Sequence, residues 1–334
     1  MSASLALARL RSVSGMMATM ESPVAGVERA LVFHAMIDRI GDDDTVGWPR
    51  PQGRGSMSDK HGGNVKDESI SRATSRYGEI FFPARDRIVG RSVALYGEYV
   101  EFEVALFRSL VGPEAVALDI GANIGCHTLG LASMAGRVIA FEPQPRIFQL
   151  LQDNLAINRV RHVEAYRAAV GATPGRVRLA DVDLTRSANF GLFELEDQAT
   201  GVETDIMTID ALDLPRCDFI KCDVEGMETE VLLGARRTIE RRRPSLYLEN
   251  DRPAQAARLT ALVLSLGYRI WWHTPTYFNP DNLNRDPVDV FHGLRALNLL
   301  CLHADAAAAH ADLFKGLVEI KRPSSAWPPI ILRR

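Results

Sequence analysis

Along the middle of the chain, short continuous apolar runs alternate with stretches whose apolar residues return every third or fourth position. The first kind reads as strands buried on both faces, the second as helices with one apolar side. Val116-Ala117-Leu118 opens the series as a strand ending in Asp119. A turn bracketed by Gly121 and Gly125 follows, then a helix marked by Ile124, Thr128, Leu129, Ala132 and Ala135. Residues 137–141 form a second predicted strand, ending at Glu142, with a helix through Ile147, Leu150, Leu151 and Leu155. A third strand is expected over 163–170 and a fourth over 217–223, followed by a helix carrying Met227, Val231, Leu232, Ala235 and Ile239. Strands over 244–249, 268–273 and 297–303, with a helix over 254–266, complete the set. Seven strands with helices between them predict an α/β fold, a doubly wound, mostly parallel Rossmann-like sheet.

The flanks follow a different pattern. Residues 1–76 read as an extension. Its first 20 residues hold Arg9 and Arg11 but no acid, a composition that fits a transit peptide and an early translation start equally. A short helix is expected over 25–40. A polar linker over 41–69 contains Met57 and almost no apolar periodicity. Residues 77–112 predict an appendage, with strands 79–83 and 87–89 around a turn. Tyr96-Gly97-Glu98-Tyr99 then leads into a helix with Phe102, Ala105, Leu106 and Leu110 on the side over the sheet's entrance. The main domain spans 113–304, with excursions at 185–205 and 276–295 where specificity should sit. Residues 305–334 read as a last helix and a tail.

Composition narrows the function classes. Hydrophobic residues make up 46% and charged ones 24%, as in ordinary globular proteins. A net charge of −3 offers no general attraction to nucleic acid or anionic membrane, so neither is expected as a partner. The 4 cysteines form no C-x-x-C pair, which fits a reducing compartment and a cytoplasmic location. No apolar run approaches the roughly 18 residues of a membrane span.

In such sheets ligands bind beyond the carboxyl ends of the strands, so the strand tips carry the candidate chemistry. The glycines are spaced G-x-x-x-G behind an acid, unlike the G-x-G-x-x-G of dinucleotide sites. A carboxylate there suits a ligand bearing an ammonium group and suits a pyrophosphate badly. S-adenosylmethionine is such a ligand. Glu142 follows Asp119 at roughly the 20-residue spacing of an acid that grips a ribose diol. Ala168-Ala169-Val170 would lie against an adenine. Asp223 and Glu225 alternate along a segment expected to be extended, which would point both to one side. Glu228 is expected equally as a cap and as a functional acid. Glu249 with Asp223 offers oxygen ligands of the kind Mg²⁺ takes, but strand-tip acids have many other uses, and no metal is expected. His127 and His273 are the candidate imidazole bases, with His273 preferred for its place near the open face. Asn279, Asn282 and Asn284 beside Tyr277 and Phe278 suit a sugar or any surface loop.

Together, Asp119-Ile120-Gly121-Ala122-Asn123-Ile124-Gly125 with Thr128, Phe141-Glu142-Pro143, and Ile220-Lys221-Cys222-Asp223-Val224-Glu225-Gly226-Met227-Glu228 resemble the FkbM family of S-adenosylmethionine-dependent methyltransferases. Tyr96-Gly97-Glu98-Tyr99 and Asn298-Leu299-Leu300-Cys301 are also similar. Met227 and Cys222 stand where the family usually has Ala and Ile. The resemblance covers roughly residues 78–304. It implies a class I methyltransferase fold and O-methylation of a hydroxyl on a sugar or natural-product scaffold, with that small molecule as partner. Asp119, Gly121, Asn123 and Gly125 would carry the methionine end of the cofactor, Glu142 its ribose, and Ala169 would border the adenine. Asp223, Glu225 and His273 are the candidate catalytic residues; Lys221 has no evident role. The competing readings are an NAD(P)-dependent oxidoreductase, disfavoured by the missing first glycine, and a non-catalytic cofactor-binding scaffold, disfavoured by acids at several strand tips.

Overall fold

The computed structural model describes residues 57–58, 64–65, 69–186, 201–326 and 328. The helix expected over 25–40 and most of the 185–205 excursion lie outside the described residues.

Within the polar stretch read as a linker, β1 (Met57–Ser58) pairs antiparallel with β2 (Asn64–Val65). The appendage proper begins with a hairpin of β3 (Ile70–Ser75) and β4 (Gly78–Pro83). The sequence pattern predicts strands at 79–83 and 87–89 around a turn. Instead Asp86, which is fully buried, accepts from the N–H groups of Ile88 and Val89, and the chain turns directly into helix α1 (Val89–Tyr96). Helix α2 (Glu101–Phe107) follows, and its phase differs from expectation. Glu103, Val104 and Phe107 are its buried residues, while Phe102 is exposed.

The main domain then alternates as the pattern predicts. In chain order it runs β5 (Val116–Ile120), α3 (Cys126–Ala132), β6 (Arg137–Phe141), α4 (Pro145–Ile157) and β7 (Val163–Tyr166). The expected third strand is broken. Its second half, β8 (Ala168–Val170), leaves the main sheet and joins β9 (Gly175–Leu179) and β10 (Val202–Met207) in a separate three-stranded sheet. The main series resumes with β11 (Phe219–Cys222), α5 (Glu228–Gly234), α6 (Arg236–Arg242), β12 (Ser245–Glu249), α7 (Pro253–Ser265), β13 (Tyr268–His273) and β14 (Asn298–His303). A short helix α8 (Ala304–Ala307) precedes β15 (Val318–Ile320).

The main sheet has 8 strands in the order β15-β13-β14-β12-β11-β5-β6-β7. Its centre is parallel, β14 is antiparallel to both neighbours, and β15 adds an edge strand beyond the seven expected. Chain order reverses between β5 and β11, so the switch point where such sheets bind ligands falls at the Asp119 tip.

The pleat divides the core. Leu118, Ile120, Ile220, Leu246 and Leu248 pack on one face, with Val231 and Leu232 of α5 and Leu259 and Val263 of α7. Ala117, Phe219 and Tyr247 belong to the other face, covered by Phe107 of α2 and Leu131 of α3. The register aligns Asp119, Lys221 and Tyr247 across three neighbouring strands, and residues side by side in a parallel sheet share a face. A polar row therefore runs beneath α2 and α3.

The hairpin is fastened to the domain by two asparagines of α4 and its end. Fully buried Asn154 accepts from Phe81 N at 2.6 Å and donates to Phe81 O at 2.9 Å and Ile124 O at 2.8 Å. Asn158 does the same for Glu79, at 2.8 and 2.7 Å.

Candidate active site

A cleft of about 1370 Å³, counting its open mouth, lies over the switch point. Gly121 and Asn123 form one wall, Glu142 the tip beside it, and Ala168 to Val170 a floor of small side chains. Asp223, Glu225 and Glu249 also line the cleft. The appendage contributes Tyr99 and Glu103, and the 276–295 excursion contributes Tyr277.

The glycine turn is shaped by the protein itself. Gly121 has φ +79°, and a Cβ there would stand 1.8 Å from the carbonyl oxygen of Asp223. Its freedom is thus required by the close packing of two strand tips, rather than by the approach of a ligand. Asn123 is also left-handed, at φ 51°, and its side-chain oxygen accepts from Ile124 N at 2.7 Å. Gly125 caps α3 from behind the lining residues.

Asp119 does not face the cleft. It is fully buried, accepts from Thr128 Oγ1 at 2.6 Å, and has Lys221 Nζ 3.3 Å from its other oxygen. Lys221 also stands 3.4 Å from Asp223 and donates to Gly121 O at 2.9 Å. The residue without an evident role therefore joins both central strand tips to the glycine turn. Burial opposes its charge, but Asp223 and Asp119 outweigh that and hold the ammonium above its ordinary pKa.

Glu142 lines the cleft with one oxygen bonded to Asn123 N at 3.0 Å and the other to Gln144 N at 2.8 Å. Burial pushes its carboxyl up to about 7, against the pull of those two N–H groups. Ala169 lies in the floor as expected.

Asp223 and Glu225 are brought together, though by a different route from the one predicted. β11 ends at Cys222, and Glu225 sits in a left-handed turn at φ 56°. Carboxylate oxygens of Asp223, Glu225 and Glu249 nevertheless lie within 4.8 Å of one another, a spacing compatible with a cation. Glu225 accepts from Arg252, which also contacts Asp251 at 3.2 Å. Burial first, and neighbouring acids second, raise Glu225 and Glu249 well above the usual carboxylate range. Glu228 settles as a cap: it accepts from Val224 N and Gly226 N and stays outside the lining.

The histidines exchange places. His273 is withdrawn from the lining, with Nδ1 2.8 Å from Tyr247 Oη, and burial lowers its pKa. His127 does line the cleft, between the rings of Tyr99 and Phe107, with Nε2 3.2 Å from Glu103 Oε2. Asn298 Nδ2 donates to the other Glu103 oxygen at 2.7 Å. Glu103 was missed by the sequence reading. Its signal is an acid falling in helical register with Val104 and Phe107, visible only once the buried face of α2 is known.

The excursion's amides brace the loop and are not in the lining. Asn279 Nδ2 donates to buried Glu98, Asn282 to Asp286 O and Asn284 to Leu95 O. Glu98 also accepts from Arg76 and from Leu283 N, tying the excursion to the hairpin.

Residues 119–270 match the model of the methyltransferase FkbM domain. Methyltransferase 1 of Beauveria bassiana is 27% identical over 145 residues, 36% of this chain and 58% of that protein. The hexuronic acid methyltransferase AglP of Haloferax volcanii is 25% identical over 125 residues, 37% of this chain and 52% of that one. The chain thus spans little more than half the length of these relatives. A crystal structure of methyltransferase FkbM from Methylobacillus flagellatus aligns with TM-score 0.40 and 22% identity, over 57% of this chain and 44% of that one. No helix among the described residues is long and apolar enough to cross a membrane. The segment 119–270, which holds the switch point, is thus similar to an FkbM methyltransferase domain.

Proposed function

We propose that the protein transfers a methyl group from S-adenosylmethionine to a hydroxyl of a sugar or natural-product scaffold. One observation carries the reading: a single cleft joins a buried strand-tip carboxylate, Glu142, to an acid-lined end at Asp223. The residues present fit the cofactor. Glu142 retains lone pairs for a ribose diol, Ala168 to Val170 with Ile88 give an apolar lining suited to adenine, and the acids suit its ammonium and sulfonium. Asn123 and Gly121 would border its methionine end. Asp119 would act through Lys221 and Thr128, by holding the turn in place.

The cofactor supplies an electrophilic methyl carbon when bound. The protein's task is to hold an acceptor oxygen in line at about 3–3.5 Å in a space closed to water. Asp223 is the proposed proton acceptor, since its carboxylate is 36% exposed whereas that of Glu225, held by Arg252, is 9% exposed. The name of the relative AglP supports a sugar acceptor.

Calorimetric titration with S-adenosylhomocysteine tests the reading. Micromolar binding, lost in Asp119→Ala and Glu142→Ala, is the expected result. A folded wild-type protein that binds none would overturn it, and a gain in melting temperature with NADH instead would restore the oxidoreductase alternative.

A further inference from the structure

His127 belongs to the wall of the cleft, and its two ring nitrogens meet different surroundings. Its side chain, in the first turn of α3, is 6% exposed and packs beside the rings of Tyr99 and Phe107. Nε2 is sealed from solvent and stands 3.2 Å from Glu103 Oε2. Nδ1 makes no hydrogen bond among the described residues and, unlike Nε2, is not sealed. Glu103 comes from α2, and its other oxygen accepts from Asn298 Nδ2 of β14 at 2.7 Å. Three segments distant in sequence thus fix one imidazole, with a carboxylate behind it and a bare nitrogen on its accessible side. The other groups around the pair leave Glu103 as the counterion of this ring. Lys221 feels Glu103 from β11 but is matched by Asp223 and Asp119. Burial first, then neighbouring groups, keep the hydroxyls of Tyr99 and Tyr247 protonated, and His273 is bonded to Tyr247 on its far side.

We propose that His127 is a second proton acceptor for the methylated hydroxyl, working beside Asp223, and that Glu103 is the residue that positions it. The proposal rests on the methyl-transfer reading and adds a residue to its chemistry. As the acceptor oxygen bonds the methyl carbon and the carbon–sulfur bond breaks, the hydroxyl proton passes to Nδ1. The sulfonium charge is thereby replaced by an imidazolium, which the Glu103 carboxylate balances. A carboxylate behind a histidine fixes which nitrogen carries the proton and stabilises the charged ring.

The test begins with nitrogen-15 NMR of the full chain, labelled at histidine and saturated with S-adenosylhomocysteine. The neutral His127 ring is expected to carry its proton on Nε2 and none on Nδ1, and to take up a second proton reversibly between about pH 5 and 9. Glu103→Gln should lower the pH of half-protonation by about 1 or more, a shift that a purely structural role would not require. A proton on Nδ1 of the neutral ring, a ring that stays neutral throughout, or a midpoint indifferent to Glu103→Gln overturns the proposal. Tritium transfer from S-adenosylmethionine to a panel of methyl glycosides supplies the second readout. His127→Gln should slow it at least tenfold with cofactor affinity unchanged, and Glu103→Asp, which keeps the charge, should retain more transfer than Glu103→Gln. Undiminished transfer by folded His127→Gln overturns the proposal as well. Absence of S-adenosylhomocysteine binding by the wild type, measured first, would instead remove the methyl-transfer reading on which it rests.

Discussion

Replacing Lys221 by Met probes the part of the site that holds its shape. The ammonium stands 3.3 Å from Asp119 and 3.4 Å from Asp223. At an effective dielectric constant of about 20, one such contact is worth on the order of 5 kcal/mol before the cost of burial is set against it. Asp223 is the larger influence on the ammonium's pKa, but it is 36% exposed and screened by solvent, so the charge left uncompensated in the interior when Lys221 is removed is that of fully buried Asp119. Removing one partner of a buried pair costs roughly 3–5 kcal/mol, since the other charge stays behind without compensation. A domain of ordinary stability, about 5–15 kcal/mol, would survive this narrowly. The expected result in urea unfolding at neutral pH is a loss of about 4 kcal/mol for Lys221→Met. The double variant Lys221→Met/Asp119→Asn should be less damaged than Lys221→Met alone, because it removes both charges. Affinity for S-adenosylhomocysteine should fall in both, as the turn loses the Lys221 bond to Gly121 O. A loss below about 1 kcal/mol, or additive effects in the cycle, would refute the account.

Further outcomes follow from the same geometry. Gly121→Ala should abolish cofactor binding and lower the melting temperature, because its Cβ would meet the Asp223 carbonyl at 1.8 Å in a backbone with φ +79°; wild-type binding by this variant would show that the tips can part. Asn154→Ala should cost about 3 kcal/mol in urea unfolding by leaving buried backbone groups of Phe81 and Ile124 without partners. A neutral result there would mean that water replaces the amide. Burial raises Glu142 from 4.5 to about 7, so between those values the folded protein binds more protons than the unfolded chain. Stability should therefore fall as pH rises through that window and level off above it. Glu142→Gln should flatten part of the slope of urea midpoints against pH, leaving the similar share of Glu228, and an unchanged slope would contradict the assignment.

The sequence discloses the parts of this molecule that local pattern controls. The glycine turn, the strand-tip acids Asp119, Glu142 and Asp223, and the alternation of the central strands with helices are all readable from apolar periodicity and spacing. What escapes depends on contacts between distant segments. Lys221 looks anomalous inside an apolar strand until the register sets it beside Asp119. The third strand breaks because β8 finds β10, 37 positions later by the pairing of Ala168 with Asp205, and the choice between two sheets is not local. Glu103 and the His127–His273 exchange share one cause. Helix α2 turns a face to the sheet one position away from the most apolar one, so an acid enters the core because Asn298 and His127 are there to receive it.

Asn154 and Asn158 act as a two-point ruler. Four residues along a helix advance about 6 Å and two residues along a strand about 6.8 Å, so two amides one turn apart can hold alternate residues of an extended chain. Each offers the donor and acceptor that a neighbouring strand would have offered, and a helix thereby closes the open side of β4. The hairpin cannot slide by one residue without losing both marks together, and a second molecule finds no unpaired ladder there to extend. Inserting one residue between Glu79 and Phe81 would break the correspondence, so the spacing of two polar side chains on a helix sets the length of a strand far away in sequence.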